Sequence, residues 1–178
     1  MSVKQFPKIS LAYLVISMFL INAFAQQIEE AKSKVQLTHK NLSGPRIGVT
    51  FIPGDNELYD KIREQNMGRL ISQFGWHFEW RITPAVIAGP SFLVEFIPLI
   101  SGVEYSKFVP SASLVFGIRL VSDYEFGLGP NLGTSGSSLV IAAGKNFNFG
   151  GVNIPINFAY VVNPKGDRLT FLVGYAIE

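Results

Sequence analysis

Cysteine is absent from all 178 residues. That excludes disulfides, thiol chemistry and an amino-terminal lipid-modified cysteine. Histidine is scarce: His39 and His77 are the only two, too far apart in sequence to make a ligand cluster. Charge is thin as well. Charged residues are 16% of the chain and the formal net charge is +2, with no basic run to argue for nucleic acid as a partner. Long apolar runs are also missing. Beyond residue 25, no segment approaches the ~20 continuous apolar residues of a spanning helix.

What the chain has is glycine (17), phenylalanine (15) and proline (10). Residues 1–25 read as an export signal, with Lys4 and Lys8 at the start, an apolar centre over 9–21, and Ala23-Phe24-Ala25 as a small-x-small cleavage site. Residues 26–43 are the most polar stretch. They carry Glu29, Glu30, Lys32, Lys34, His39 and Lys40, and read as a weakly amphipathic helix or flexible periplasmic lead-in. The barrel domain is expected over 44–178.

Residues 73–83 set the pattern for that domain. Phe74, Trp76, Phe78, Trp80 and Ile82 alternate with Gly75, His77, Glu79, Arg81 and Thr83. An unbroken period of two is an extended strand with two chemically different faces. Similar alternation over 45–52, 88–100, 107–121, 123–133, 137–149, 152–162 and 168–177 brings the total to eight strands. Most are joined by short turns. The exception is residues 53–72, where 56–67 allow a helical turn or two. Prolines fall within a few residues of the strand ends, with Pro130 and Pro155 furthest in. Eight consecutive antiparallel strands make an up-and-down meander, and closing it removes the edges.

Composition decides which face turns inward. The minor face is rich in glycine, serine, alanine and asparagine, which suits the narrow interior of an eight-stranded barrel. The aromatic face then looks out, as a transmembrane β-barrel requires. The expected fold is therefore all-β: an eight-stranded antiparallel up-and-down transmembrane β-barrel. Arg46, His77, Glu79, Arg81, Glu95, Arg119, Glu125 and Arg168 fall on the inner face. Unpaired buried charge is costly, so these residues are expected to form an interior polar network. A turn near Ser122 sets Arg119 opposite Glu125. A turn near Val86 sets His77 opposite Glu95 and Arg81 opposite Ser91. Such an interior is a plug rather than a wide pore.

His77 beside Glu95 has the residue types of a general base, which would suit an outer-membrane lipid-modifying enzyme. No serine is placed as its nucleophile, and an interior hydrogen-bonding role is the better expectation. The glycines at 127, 129 and 133 resemble a phosphate loop, but the third is one residue late and no helix pattern follows. No catalytic, cofactor-binding or metal residue is expected.

The export signal, alternating strands, aromatic exterior and Arg/Glu interior together resemble small outer-membrane β-barrels of the OmpA/OmpX architecture. The segments GPRIGVTFIPG, QFGWHFEWRI, EFGLGPNL, LVIAAGKNF and FLVGY are similar to an uncharacterised family of small barrels of Gram-negative envelopes. That resemblance implies outer-membrane localisation and a structural or interaction role without catalysis. Its implied partners are the lipid bilayer and the outer-membrane assembly machinery. It departs at the carboxyl end, where Tyr175-Ala176-Ile177-Glu178 replaces the usual terminal aromatic residue. Any external contact would centre on the loop over 53–72, with Asp55, Glu57, Asp60, Lys61 and Arg63. The alternative reading is a soluble periplasmic β-barrel binding a small apolar ligand.

Overall fold

The computed structural model describes residues 42–82 and 89–177. The expected export signal and nearly all of the expected polar lead-in lie outside the described residues. Eight strands follow in chain order: β1 Gly44–Phe51, β2 Leu70–Ile82, β3 Ser91–Ser101, β4 Val109–Arg119, β5 Tyr124–Gly133, β6 Gly136–Phe149, β7 Val152–Val162 and β8 Arg168–Gly174. Each pairs antiparallel with its sequence neighbour, and β1 also pairs with β8. The sheet is therefore closed, the all-β up-and-down barrel that the alternation predicts. A two-residue strand, β9 Ala176–Ile177, resumes β8 after Tyr175: Ile177 opposes Val152 as Val173 opposes Ile156. The two unequal faces hold the register of the charged strands, since a one-residue slip of a strand such as β2 would put its charges outside.

The strand boundaries move little from expectation. β2 begins at Leu70 rather than at residue 73, and β3 at Ser91 rather than at residue 88. Between β6 and β7, Gly150 and Gly151 both have positive φ, at 62° and 92°, as a type I′ turn demands.

Five prolines lie inside strands; Pro45 and Pro110 are the second residues of theirs, and each of the other three coincides with a gap in one ladder. Pairing of β2 with β3 jumps from Gly75–Leu99 to Phe78–Phe96, skipping Pro98. Pairing of β4 with β5 jumps from Ser113–Asn131 to Phe116–Leu128, skipping Pro130. Opposite Pro155, β8 breaks before resuming as β9. A missing N–H is thus placed where the wall bends and the bond would be lost anyway. Gly129 sits in the second gap. A Cβ there would lie 1.9 Å from the Leu114 carbonyl oxygen and 3.0 Å from the Val115 Cα. Gly129→Ala is therefore expected to destabilise the barrel by about 1–3 kcal/mol through overpacking, read as a lowered urea midpoint against wild type.

Burial alternates along every strand, and β2 is exposed at Phe74, Trp76, Phe78 and Trp80 but buried at Gln73, His77 and Glu79. Among the described residues, thirty large hydrophobic side chains are exposed and only twelve apolar residues are buried. The ordinary inside-out partition is inverted. Aliphatic packing survives in two places. Val115, Val140 and Val161 pack together inside the barrel, while Ile52, Leu58 and Ile71 form a second cluster at one rim.

That second cluster is the seat of a lid. Helix α1, Glu57–Glu64, is the helical turn expected within 56–67. Asn56 caps it, accepting from Tyr59 N at 2.9 Å. Leu58 and Ile62, four residues apart, face the barrel. The Leu58 N–H, an orphan donor of the first turn, finds the Lys165 carbonyl at 2.7 Å in the β7–β8 connection. The Arg69 guanidinium stacks 3.7 Å above the Tyr59 ring and pairs with Asp55. The lid closes the rim opposite the one where β1 begins and β9 ends.

Candidate functional site

The interior polar residues come from different strands, and closure of the sheet is what brings them together. Arg119 lies at the centre of the half nearest the start of β1, with 1% of its surface exposed. Its Nη1 and Nη2 donate to Glu79 Oε1 and Oε2, both at 2.7 Å. Nη2 also reaches Glu125 Oε2 at 2.6 Å, and Nε the same oxygen at 3.1 Å. A planar guanidinium forking two carboxylates is the geometry that suits arginine and would not suit lysine. The other Glu125 oxygen accepts from Asn157 Nδ2.

Arg46 organises the adjoining group. Its Nη2 donates to the Leu42 carbonyl and to His77 Nδ1, both at 2.9 Å. With Nδ1 accepting, the proton of a neutral His77 ring sits on Nε2, which lies 3.4 Å from Glu95 Oε1. Leu42 is buried and Ser43 Oγ accepts from the Glu79 amide at 2.9 Å, so the residues before β1 also plug this end. Glu79 and Glu95 are direct cross-strand partners. Like charges at that spacing repel, and Arg119 on one side with Arg46 and His77 on the other supply the compensation.

Glycines make the room. Gly174 is the cross-strand partner of Arg46, and a Cβ there would lie 2.3 Å from Arg46 Nη1. Gly144 pairs with both Glu125 and Asn157, and a Cβ there would lie 2.7 Å from Glu125 Oε1. Neither glycine nor Asn157 stood out in the sequence as a site residue. The signal that would have found them is a glycine on the inner face directly across from a charged residue.

Of the expected registers, Arg119 does oppose Glu125. The β2–β3 register is shifted by two residues, a slip that keeps every side chain on its face. Glu95 is therefore opposite Glu79 and Arg81 opposite Leu93, not Ser91. His77 still meets Glu95, diagonally. Six of the eight expected network residues thus meet: Arg46, His77, Glu79, Glu95, Arg119 and Glu125. Arg81, half-buried near the end of β2, and Arg168, in the other half of the barrel, stand apart from them. Neither has an ion pair among the described residues.

Ligand atoms of His77, Glu79 and Glu95 lie within 4.8 Å of one another, a spacing that metal sites share. Here both Glu79 oxygens are forked by Arg119, and His77 Nδ1 faces Arg46. A divalent cation would sit between two guanidiniums and would have to displace one of them. The trio is an ion-pair network on its own chemistry. His77 likewise has both ring nitrogens engaged, by Arg46 and Glu95.

Toward the lid the interior is neutral apart from Arg168. Thr50 and Thr170 hydroxyls meet at 2.6 Å, Gln73 Nε2 donates to Ser101 Oγ at 3.0 Å, and Asn131 Nδ2 to Ser113 Oγ at 2.9 Å. A cavity of about 60 Å³ lies between this layer and the Arg46–His77–Glu95 group. Of the expected external-loop residues, Asp55 is held by Arg69, and Glu57 pairs with Lys61 at 3.1 Å along α1. Asp60 and Arg63 are exposed on the same helix. At the same rim, Ser72 N donates to Glu104 Oε1 at 2.6 Å and Ser72 Oγ to the other oxygen. Partial burial opposes ionisation of Glu104, but these bonds outweigh it and hold the carboxyl below its ordinary range.

The fold and site define a closed eight-stranded antiparallel β-barrel, plugged by charge at one end and lidded by a helix at the other. No family model, curated protein or solved structure matches this chain.

Proposed function

We propose that this chain is an integral outer-membrane β-barrel with a structural or interaction role and no catalysis, of the kind its OmpA/OmpX-like architecture suggests. One observation carries the reading: large apolar side chains face outward on all eight strands while Arg46, Glu79, Glu95, Arg119 and Glu125 are buried inside. Exposing that much apolar surface to water is far beyond what a monomeric soluble domain tolerates, whereas hydrocarbon solvates it. Strands of 10–14 residues such as β5 and β6 have the length a tilted crossing needs. Backbone groups in a bilayer must all be paired, which a closed barrel achieves.

With the start of β1 on the periplasmic side, α1 and its loop face outward. Asp60 and Arg63 then offer the free charges of an external contact, flanked by the paired Asp55, Glu57 and Lys61. The assembly machinery of the outer membrane is the partner that insertion requires. Between its plug and its lid the barrel has little room for conduction. Cell fractionation tests the reading. Recovery in the outer membrane, resistant to urea washing and with heat-dependent gel mobility, is expected. Recovery in the soluble periplasm without a mobility shift would favour the soluble barrel.

A further inference from the structure

Beneath α1 lies a cavity of about 140 Å³ whose two walls differ in chemistry. On the lid side it is lined by Leu58, Ile62, Met67 and Ile71. On the barrel side it meets Gln73, Ser135 and Arg168. Six buried side-chain polar atoms of the described residues lack a hydrogen-bond partner, and three of them belong to this wall: Gln73 Oε1, Ser135 Oγ and Arg168 Nε. Native interiors pair nearly all such atoms, so their gathering at one cavity points to a polar occupant.

Charge gives the sign of that occupant. All three interior glutamates, Glu79, Glu95 and Glu125, belong to the network around Arg119, Arg46 and His77. Arg168 has no carboxylate partner among the described residues. Among the described residues its side chain makes one hydrogen bond, from Nη2 to Asn131 Oδ1 at 3.1 Å, leaving Nε unused. A half-buried guanidinium without a counter-charge is costly, and a carboxylate is the anion whose planar fork it matches. The facing apolar wall favours a ligand with a hydrocarbon part over a bare inorganic ion. The cavity has room for roughly five waters, the scale of a small organic molecule. Lys61 and Gln65, exposed on α1, line its edge toward solvent.

We propose that this cavity binds a short-chain aliphatic carboxylate. Its carboxylate would sit on Arg168 Nε and its alkyl part would lie against Ile62 and Ile71. The site lies within the barrel's own wall and lid, so it does not require the barrel to be in a membrane.

The test is a titration of the full-length mature protein, folded in an uncharged detergent, with sodium butyrate at constant chloride. The readouts are the NMR methyl signals of Ile62 and Ile71 and the Nε–H signal of Arg168. Saturable shifts of all three are expected in the wild type, and binding read from the two methyl signals is expected to be about tenfold or more weaker in Arg168→Gln, which removes the charge-assisted bonds. Ile62→Trp, which fills the apolar half from the lid and leaves the barrel wall untouched, is expected to abolish binding with Arg168 intact. It thus decides the matter even where Arg168→Gln does not fold. Four outcomes overturn the proposal: no saturable shift, undiminished binding by either folded variant, equal binding of 1-butanol, or the same methyl shifts from inorganic phosphate.

Discussion

Arg119→Ala is expected to cost the barrel about 3–5 kcal/mol, because it breaks a buried ion-pair cluster and leaves the acids behind. Glu79, whose side chain has 0% exposure, loses both of its fork partners. Glu125 loses its guanidinium and keeps only Asn157. Glu95 then faces Glu79 across the ladder without Arg119 between the charges and the rest of the cluster. The urea midpoint of the folded protein in detergent measures this. The desolvation penalty of the whole cluster is large, so a triple variant carrying Arg119→Met, Glu79→Leu and Glu125→Leu is expected to recover most of the loss. A loss below about 1 kcal/mol in the single variant would mean that the cluster is open to water rather than sealed, since exposed pairs are worth no more than that.

Leu128→Arg separates the two environments the outer face could have. Leu128 lies near the middle of β5, 59% exposed, beside Phe116 and Ile141 on the neighbouring strands. On a lipid-facing midplane, arginine is expected to cost about 2–4 kcal/mol, falling toward zero near either rim. On a water-facing surface the same change stays within about 0.5 kcal/mol. Unfolding from phospholipid vesicles, compared between Leu128→Arg and a rim variant such as Leu70→Arg, reads the depth dependence directly.

The barrel was legible in the sequence because its signal is periodic. Alternation of Phe74, Trp76, Phe78 and Trp80 with Gly75, His77 and Glu79 fixes an element and its two faces without reference to anything distant. Orientation was legible too, since glycine and serine shared the charged face and only a narrow interior needs them there. The β2–β3 register was not. A shift of two residues leaves every side chain on its face, so the pattern cannot distinguish His77 from Glu79 opposite Glu95. Contacts between strands distant in sequence were equally hidden. Arg119 meets Glu79, forty residues earlier, only because the sheet closes. The lid shows the same limit: 56–67 suggested a helix, but that Leu58 and Ile62 would cap the barrel depends on the β7–β8 connection offering Lys165 O.

The two tryptophans of the chain give the most direct test. Trp76 and Trp80 both point outward from β2, 45% and 56% exposed. The protein folded into vesicles containing lipids brominated along the acyl chain should show blue-shifted tryptophan emission. That emission should be strongly quenched by the bromines and little affected by aqueous iodide. Emission that iodide quenches and brominated lipid leaves unchanged would contradict a lipid-facing aromatic surface.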